Sequence, residues 1–232
     1  MTTLDAVLQD IDQCAQRAGR PAGRVRLIAV SKGHPPGALA ALAAQGQRAF
    51  GENYVQEAMT KIPLFADAGL EWHFLGSLQR NKARFVAAHF DWFHSLDSLP
   101  LARSLAGHLQ AAGRTLEVLI GVNSLEDGTK QGLTYADLPS FLEAFLADPA
   151  LALVLHLRGL MTIGPHPVQA AASARCFGGL REALEATARR FALAHFDQLS
   201  MGMSEDYRIA IAEGATMVRI GRALLDERPR KT

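Results

Sequence analysis

Residues 25–46 read VRLIAVSKGHPPGALAALAAQG. The first six are apolar on both faces of an extended chain, as a strand covered on both sides has to be. Pro35-Pro36 pre-sets the backbone for a helix, ALAALAAQ has helical character, and Gly46 can close it. A buried strand that feeds a helix is the unit of a parallel β/α fold. No GxGxxG joins the two, although a dinucleotide-binding sheet would place its phosphate turn there. The same unit recurs along the chain. Strands are predicted near 48–52, at 72–75 (WHFL), 92–95 (WFHS), 116–122 (LEVLIGV) and 153–158, near 197–200, and at 216–220 (TMVRI). Between them YVQEAMTKI, NKARFVAAHF, SLPLARSLAGHLQ, a segment near 135–147 and one over 174–193 carry helical spacing. In the last, Phe177, Leu180, Leu184 and Phe191 form an apolar stripe. Ser204 suits an N-cap, with Glu205 and Asp206 in the positive first turn and Gly214 as the stop. Eight strands, each followed by a helix or helix start, in 232 residues are the pattern of a single (β/α)8 TIM barrel. An open doubly wound sheet fits less well. A helix over 3–18 precedes the first strand as an addition to the barrel. With no Pro/Ser/Gly linker in view, one domain over 1–232 is expected.

Composition narrows the function classes. The chain is 49% hydrophobic and 20% charged, with 20 Gly and 10 Pro, which fits neither disorder nor a fibrous repeat. A net charge of +1 gives no electrostatic reason to expect a nucleic-acid partner. No run of about 18 uncharged apolar residues is present, so no membrane span is expected. The start, MTTLDAVLQDIDQ, has acids where a signal peptide has a basic region. Cys14 and Cys176 are far apart and outside any CxxC pattern, so neither a structural disulfide nor a cysteine metal site is expected. A reducing cytoplasm is the expected compartment.

Three groups of residues could carry chemistry. Lys32 stands at the carboxyl end of the first strand, on the face of Ile28 and Val30, where barrels of this kind hold their active sites. An amine held among apolar neighbours loses charge stabilisation and can attack a carbonyl to form a Schiff base. The alternative is a strand-end lysine that snorkels to solvent. LSMGMS at 199–204 and RIGR at 219–222 combine small residues with a helix start at the last two strand ends, a common phosphate position. Ser200 and Ser204 could add hydroxyl donors there, and Gly202 and Gly221 could let the backbone approach; glycines also simply make turns. Arg219 lies inside an apolar strand and needs a partner, either a carboxylate such as Glu52 or an acceptor on a cofactor. His73 has no His or Cys at metal spacing and reads as a core or pocket histidine. Met201, Met203 and Met217 read as packing, and the basic RPRK tail as a solvated end. The loops NSLEDGTKQG (123–132) and TIGPHPVQA (162–170) should border the catalytic face, as covers or as plain connections.

Longer motifs add a resemblance. AVSK at 29–32, FGENYVQEA at 50–58, WHFLGSLQRNK at 72–82, VN with KQG at 122–132, RGLM at 158–161 and MGMSEDYRIAIAEGATMVRIG at 201–221 resemble the YggS/PROSC family of pyridoxal 5′-phosphate homeostasis proteins. The likeness spans nearly the whole chain in colinear order. It implies a barrel like the alanine racemase N-terminal domain, with pyridoxal phosphate as cofactor and no established turnover. By motif, Lys32 would form the Schiff base and Arg219 would face the pyridine nitrogen. Ser200, with the backbone N–H groups of Gly221 and Arg222, would hold the phosphate, and Asn53 and Met161 would line the ring. The chain departs from the family pattern at Gly33, Ser77 and Arg222, where Thr, His and Thr are frequent. An arginine beside the pyridine nitrogen donates a hydrogen bond but practically no proton, which leaves the ring a poor electron sink. The racemase adds a tyrosine base and a second β domain. None of Tyr54, Tyr135 and Tyr207 lies on a segment like that domain, and about ten residues follow the last strand. The expectation is a non-catalytic, monomeric cofactor carrier that meets apo-enzymes transiently. A racemase or a Schiff-base aldolase using Lys32 is the alternative, and an interaction protein signalled by its cofactor is a third class.

Overall fold

The computed structural model describes residues 3–125 and 131–225. Eight parallel strands pair in chain order and close into a barrel. They are β1 (Arg26–Val30), β2 (Ala49–Glu52), β3 (Glu71–Phe74), β4 (Trp92–Leu96), β5 (Leu116–Gly121), β6 (Leu155–Met161), β7 (Gln198–Met203) and β8 (Met217–Ile220). Closure is between β1 and β8, with Ile28 opposite Arg219. The period of two along each strand sorts side chains into two cores. Leu27, Ala29, Phe50, Trp72 and Phe74 point outward and pack beneath the helices. Ile28, Leu75, Trp92, Leu119, Met161 and Met217 form a separate inner cluster, with Val30 at its edge. Apolar residues on both faces explain the near-continuous apolar runs in the sequence.

Helix α1 (Leu4–Arg17) is the expected addition before the barrel, and the Thr3 hydroxyl caps it by accepting the Ala6 N–H at 3.2 Å. The helices between strands are α2 (Pro36–Ala44), α3 (Val55–Lys61), α4 (Ala83–His89), α5 (Leu99–Ala112), α6 (Leu138–Leu146), the single turn α7 (Pro149–Ala152), α8 (Ala170–Phe191) and α9 (Tyr207–Ala212). Helix α1 packs on α9, where Asp10 Oδ2 accepts from the Tyr207 hydroxyl at 2.6 Å and from Arg208 Nε at 2.9 Å.

Several boundaries differ from expectation. Strand β6 runs to Met161 rather than stopping at 158, because its register with β5 slips between Val118 and Leu119 and carries pairing past Gly159. Strand β7 extends to Met203, and α8 begins at Ala170 instead of 174. Ser204 is not the cap of α9. Asp206 occupies that position, with its Oδ1 accepting the Met203 N–H at 2.6 Å. After β8 the described chain is a turn over 221–225. The RPRK tail and residues 126–130 of the 123–132 loop lie outside the described residues. Among those described, Cys14 and Cys176 are buried and joined in no disulfide, and no helix is long and apolar enough to cross a membrane.

Candidate functional site

A cavity of about 390 Å³ opens at the carboxyl ends of the strands. Lys32, Met161, Arg219, Gly221 and Arg222 line it from the ends of β1, β6 and β8, and Asn53 lines it from just beyond β2. The 162–170 loop supplies Ile163, Pro165, His166 and Val168. The residues between β7 and α9 supply Met203, Ser204, Glu205 and Asp206.

The turn that carries Lys32 is held from below. Ser31 Oγ donates to Glu52 Oε1 at 2.6 Å. Lys61 Nζ, from the end of α3, donates to the Ser31 carbonyl at 2.7 Å, to Glu52 Oε1 at 2.7 Å and to Glu57 Oε1 at 2.6 Å. The Gly33 N–H donates to Glu57. Both Lys61 and Glu52 are buried. Burial pushes the Glu52 carboxyl above its usual range, against the pull of Lys61 and Ser31. Lys32 itself is half-buried. A buried ion pair beneath it therefore fixes the backbone from which its amine reaches the cavity. Glu52 belongs to Lys61 and is not the partner of Arg219.

Arg219 is 6% exposed. Its Nη1 donates to Ser200 Oγ at 2.7 Å and its Nη2 to the Thr162 carbonyl at 2.8 Å. Burial lowers its pKa to about 10, with Asp206 pulling the other way, so it remains a cation at neutral pH. Its remaining N–H groups give the cavity charged donors that practically never release a proton.

The structure does not bring Ser200 to the cavity. It lies fully buried inside the barrel, with its hydroxyl shared between Arg219 and His94 Nδ1 at 2.9 Å. Ser204 lines the cavity instead. Ser200 pairs with Met217 at the start of β8, and the β7–β8 register slips only beyond it, before Met203. Gly202, at φ +91°, allows the bend, and a Cβ there would meet Ala210 Cβ at 2.6 Å. The Arg222 side chain is exposed and pairs with Glu205 Oε1 at 2.6 Å, so its guanidinium already has a carboxylate partner. Asn53 and Asp206 line the cavity, and Asn53 Oδ1 and Asp206 Oδ2 are buried without a hydrogen-bond partner among the described residues. Burial raises the Asp206 carboxyl above its usual range despite the Met203 N–H and Arg219.

His34 and His166 also line the cavity, and sequence reasoning missed them. Their one signal was position: each follows a strand end on the catalytic face. None of Tyr54, Tyr135 and Tyr207 lines it, and the Tyr207 hydroxyl, bonded to Asp10, is pushed up to about 12. A second cavity of about 340 Å³ shares Leu75, Met161 and Ile163 with the first and is edged by Ser95, Asp97 and Asn123.

Comparison with known proteins agrees with this architecture. The family model of the alanine racemase N-terminal domain matches residues 2–229. The pyridoxal phosphate homeostasis protein of Escherichia coli (strain K12) is 42% identical over 229 residues, covering 97% of this chain and 95% of that protein. Its counterpart in Pseudomonas aeruginosa is 44% identical over 218 residues, covering 94% and 91%. PipY of Synechococcus elongatus PCC7942, solved with PLP bound, superposes with a TM-score of 0.80 at 39% identity, covering 92% of this chain and 99% of that one. Alanine racemase from Corynebacterium glutamicum shares the fold at a TM-score of 0.67 and 21% identity, with 96% of this chain matching 61% of that one. The chain belongs to the family of pyridoxal phosphate homeostasis proteins, built on the alanine racemase N-terminal domain.

Proposed function

We propose that the protein binds pyridoxal 5′-phosphate in the 390 Å³ cavity and serves cytoplasmic cofactor homeostasis as a monomeric carrier without turnover of its own. The observation that carries this reading is one cavity flanked by a lysine on a braced turn and a buried arginine cation. When bound, the cofactor supplies an aldehyde that an amine can condense with and a pyridine ring that can delocalise charge. Lys32 would hold the aldehyde end. Arg219 would donate to the pyridine nitrogen and leave it unprotonated. Asn53 Oδ1 is free to accept from a ring hydroxyl, and Met161 gives the ring an apolar wall. Ser204, with the backbone N–H groups of Gly221 and Arg222, would hold the phosphate in place of Ser200. Apo-enzymes that need the cofactor are the proposed transient partners.

What surrounds Lys32 supports a reading without turnover. Racemisation needs a second base on the opposite face, within about 2.6–3.2 Å of the proton or one water away. Tyr207 is tied to Asp10, and Tyr54 and Tyr135 stand outside the cavity. His34 and His166 at its wall are the groups that could substitute. The test is α-proton exchange and chirality of alanine and serine in deuterated water, with wild type, Lys32→Ala and His166→Ala. Slow exchange without inversion is expected. Lys32-dependent inversion at about 1 per second or faster would make the protein an enzyme.

A further inference from the structure

Inside the barrel, beneath the cavity, runs an unbroken line of polar side chains of which the cofactor reading uses only Arg219. Arg219 Nη1 meets Ser200 Oγ at 2.7 Å, and Ser200 Oγ meets His94 Nδ1 at 2.9 Å. His94 Nε2 meets His73 Nδ1 at 2.9 Å, and His73 Nε2 meets Glu71 Oε1 at 2.6 Å. Ser200, His94 and His73 are fully buried. Glu71 opens β3 at the opposite end of the barrel, where Arg26 Nη1 donates to it at 2.7 Å. The line thus crosses the barrel from its floor to the cavity.

The direction of every bond can be derived. A carboxylate only accepts, so His73 Nε2 carries a proton. A neutral His73 then has a bare Nδ1, which must accept from His94 Nε2–H. His94 in turn has a bare Nδ1 and accepts the Ser200 hydroxyl proton. Ser200 Oγ accepts from Arg219. Each donor and acceptor is satisfied, with a cation at one end and an anion at the other. Reversed, the Ser200 oxygen would face two donors while its own proton had no acceptor among the described residues, at a cost that burial magnifies. Burial holds both imidazoles below their ordinary pKa. Glu71 and Asp91 favour charge on His73, whereas Arg26 opposes it there and Arg219 and Arg26 oppose it on His94.

We propose that Glu71, His73, His94 and Ser200 form a one-way hydrogen-bond relay that orients Arg219, making His94 and His73 positioning residues for the ring acceptor of a bound cofactor. The ligand part rests on the function proposed above; the relay itself does not. Long-range proton–nitrogen NMR of the ligand-free wild type at neutral pH should find His73 and His94 both protonated at Nε2 alone. A proton on Nδ1 of either would overturn the relay. In His94→Leu, still without cofactor, the Arg219 Nε–H should exchange with solvent faster, and an unchanged rate would overturn the positioning role. Titration with pyridoxal phosphate adds the coupling. His94→Leu and Ser200→Ala should each weaken binding about tenfold, and the double variant by about the same tenfold, because they break one chain. Losses that multiply would contradict a shared route to Arg219. Wild type that fails to bind pyridoxal phosphate would sink the cofactor reading, while the tautomers and the exchange rate still decide the relay.

Discussion

Arg219 and Arg222 stand three residues apart at the same strand end, yet burial gives them different work. Arg219 keeps its charge although buried, braced by Ser200 and Thr162, whereas Arg222 spends its side chain on an exposed pair with Glu205. A charge-assisted bond in the first setting is worth about 1.5–3 kcal/mol, and an exposed pair about 0–1 kcal/mol. Arg219→Met should therefore weaken pyridoxal phosphate binding at least tenfold, while Arg222→Ala keeps its backbone donor and stays near wild type. Absorbance titration of both variants measures this, and equal losses would mean the roles are misassigned. Lys32 and Arg219 were legible in the sequence because each interrupts an apolar, inward-facing strand parity. The depth of Ser200, level with Met217 at the start of β8 and bonded to Arg219 and His94, was not legible in strand parity, and His34 and His166 were hidden because loops have no period.

At the scale of elements, the turn after β1 depends on α3. Lys61 ends that helix and neutralises Glu52, a carboxylate buried under the Lys32 turn. Lys61→Met would leave Glu52 charged and uncompensated, a loss of about 3–5 kcal/mol when one partner of a buried pair is removed. The sign of its pH dependence follows from Glu52. Its folded pKa is already raised and would rise further without Lys61. The folded variant thus favours the protonated acid, so its stability is greatest at acid pH and is lost as pH rises through that pKa. Chemical denaturation from pH 5 to 8 should show a deficit that grows with pH, largely removed by adding Glu52→Gln. A deficit independent of pH would put the effect in packing alone. None of this clamp was readable beforehand, since it joins residues 31, 52, 57 and 61 across the β1–β2 pairing and helix α3. The strands themselves were readable, because a parallel barrel buries both strand faces and so writes apolar runs into the sequence.

For the whole molecule, the barrel divides its labour along its axis. The outer core joins strands to helices, and the inner cluster and the polar relay share the barrel interior below the cavity. Everything proposed for the carboxyl face turns on which amine meets the cofactor. Lys61 is held by two carboxylates and a carbonyl, whereas Lys32 lines the cavity together with Arg219. Borohydride reduction of the cofactor-loaded protein, followed by peptide mass mapping, tests this most directly. The account predicts a single principal pyridoxyl adduct on Lys32, lost in Lys32→Ala; a principal adduct on Lys61, Lys82 or Lys130 would contradict it.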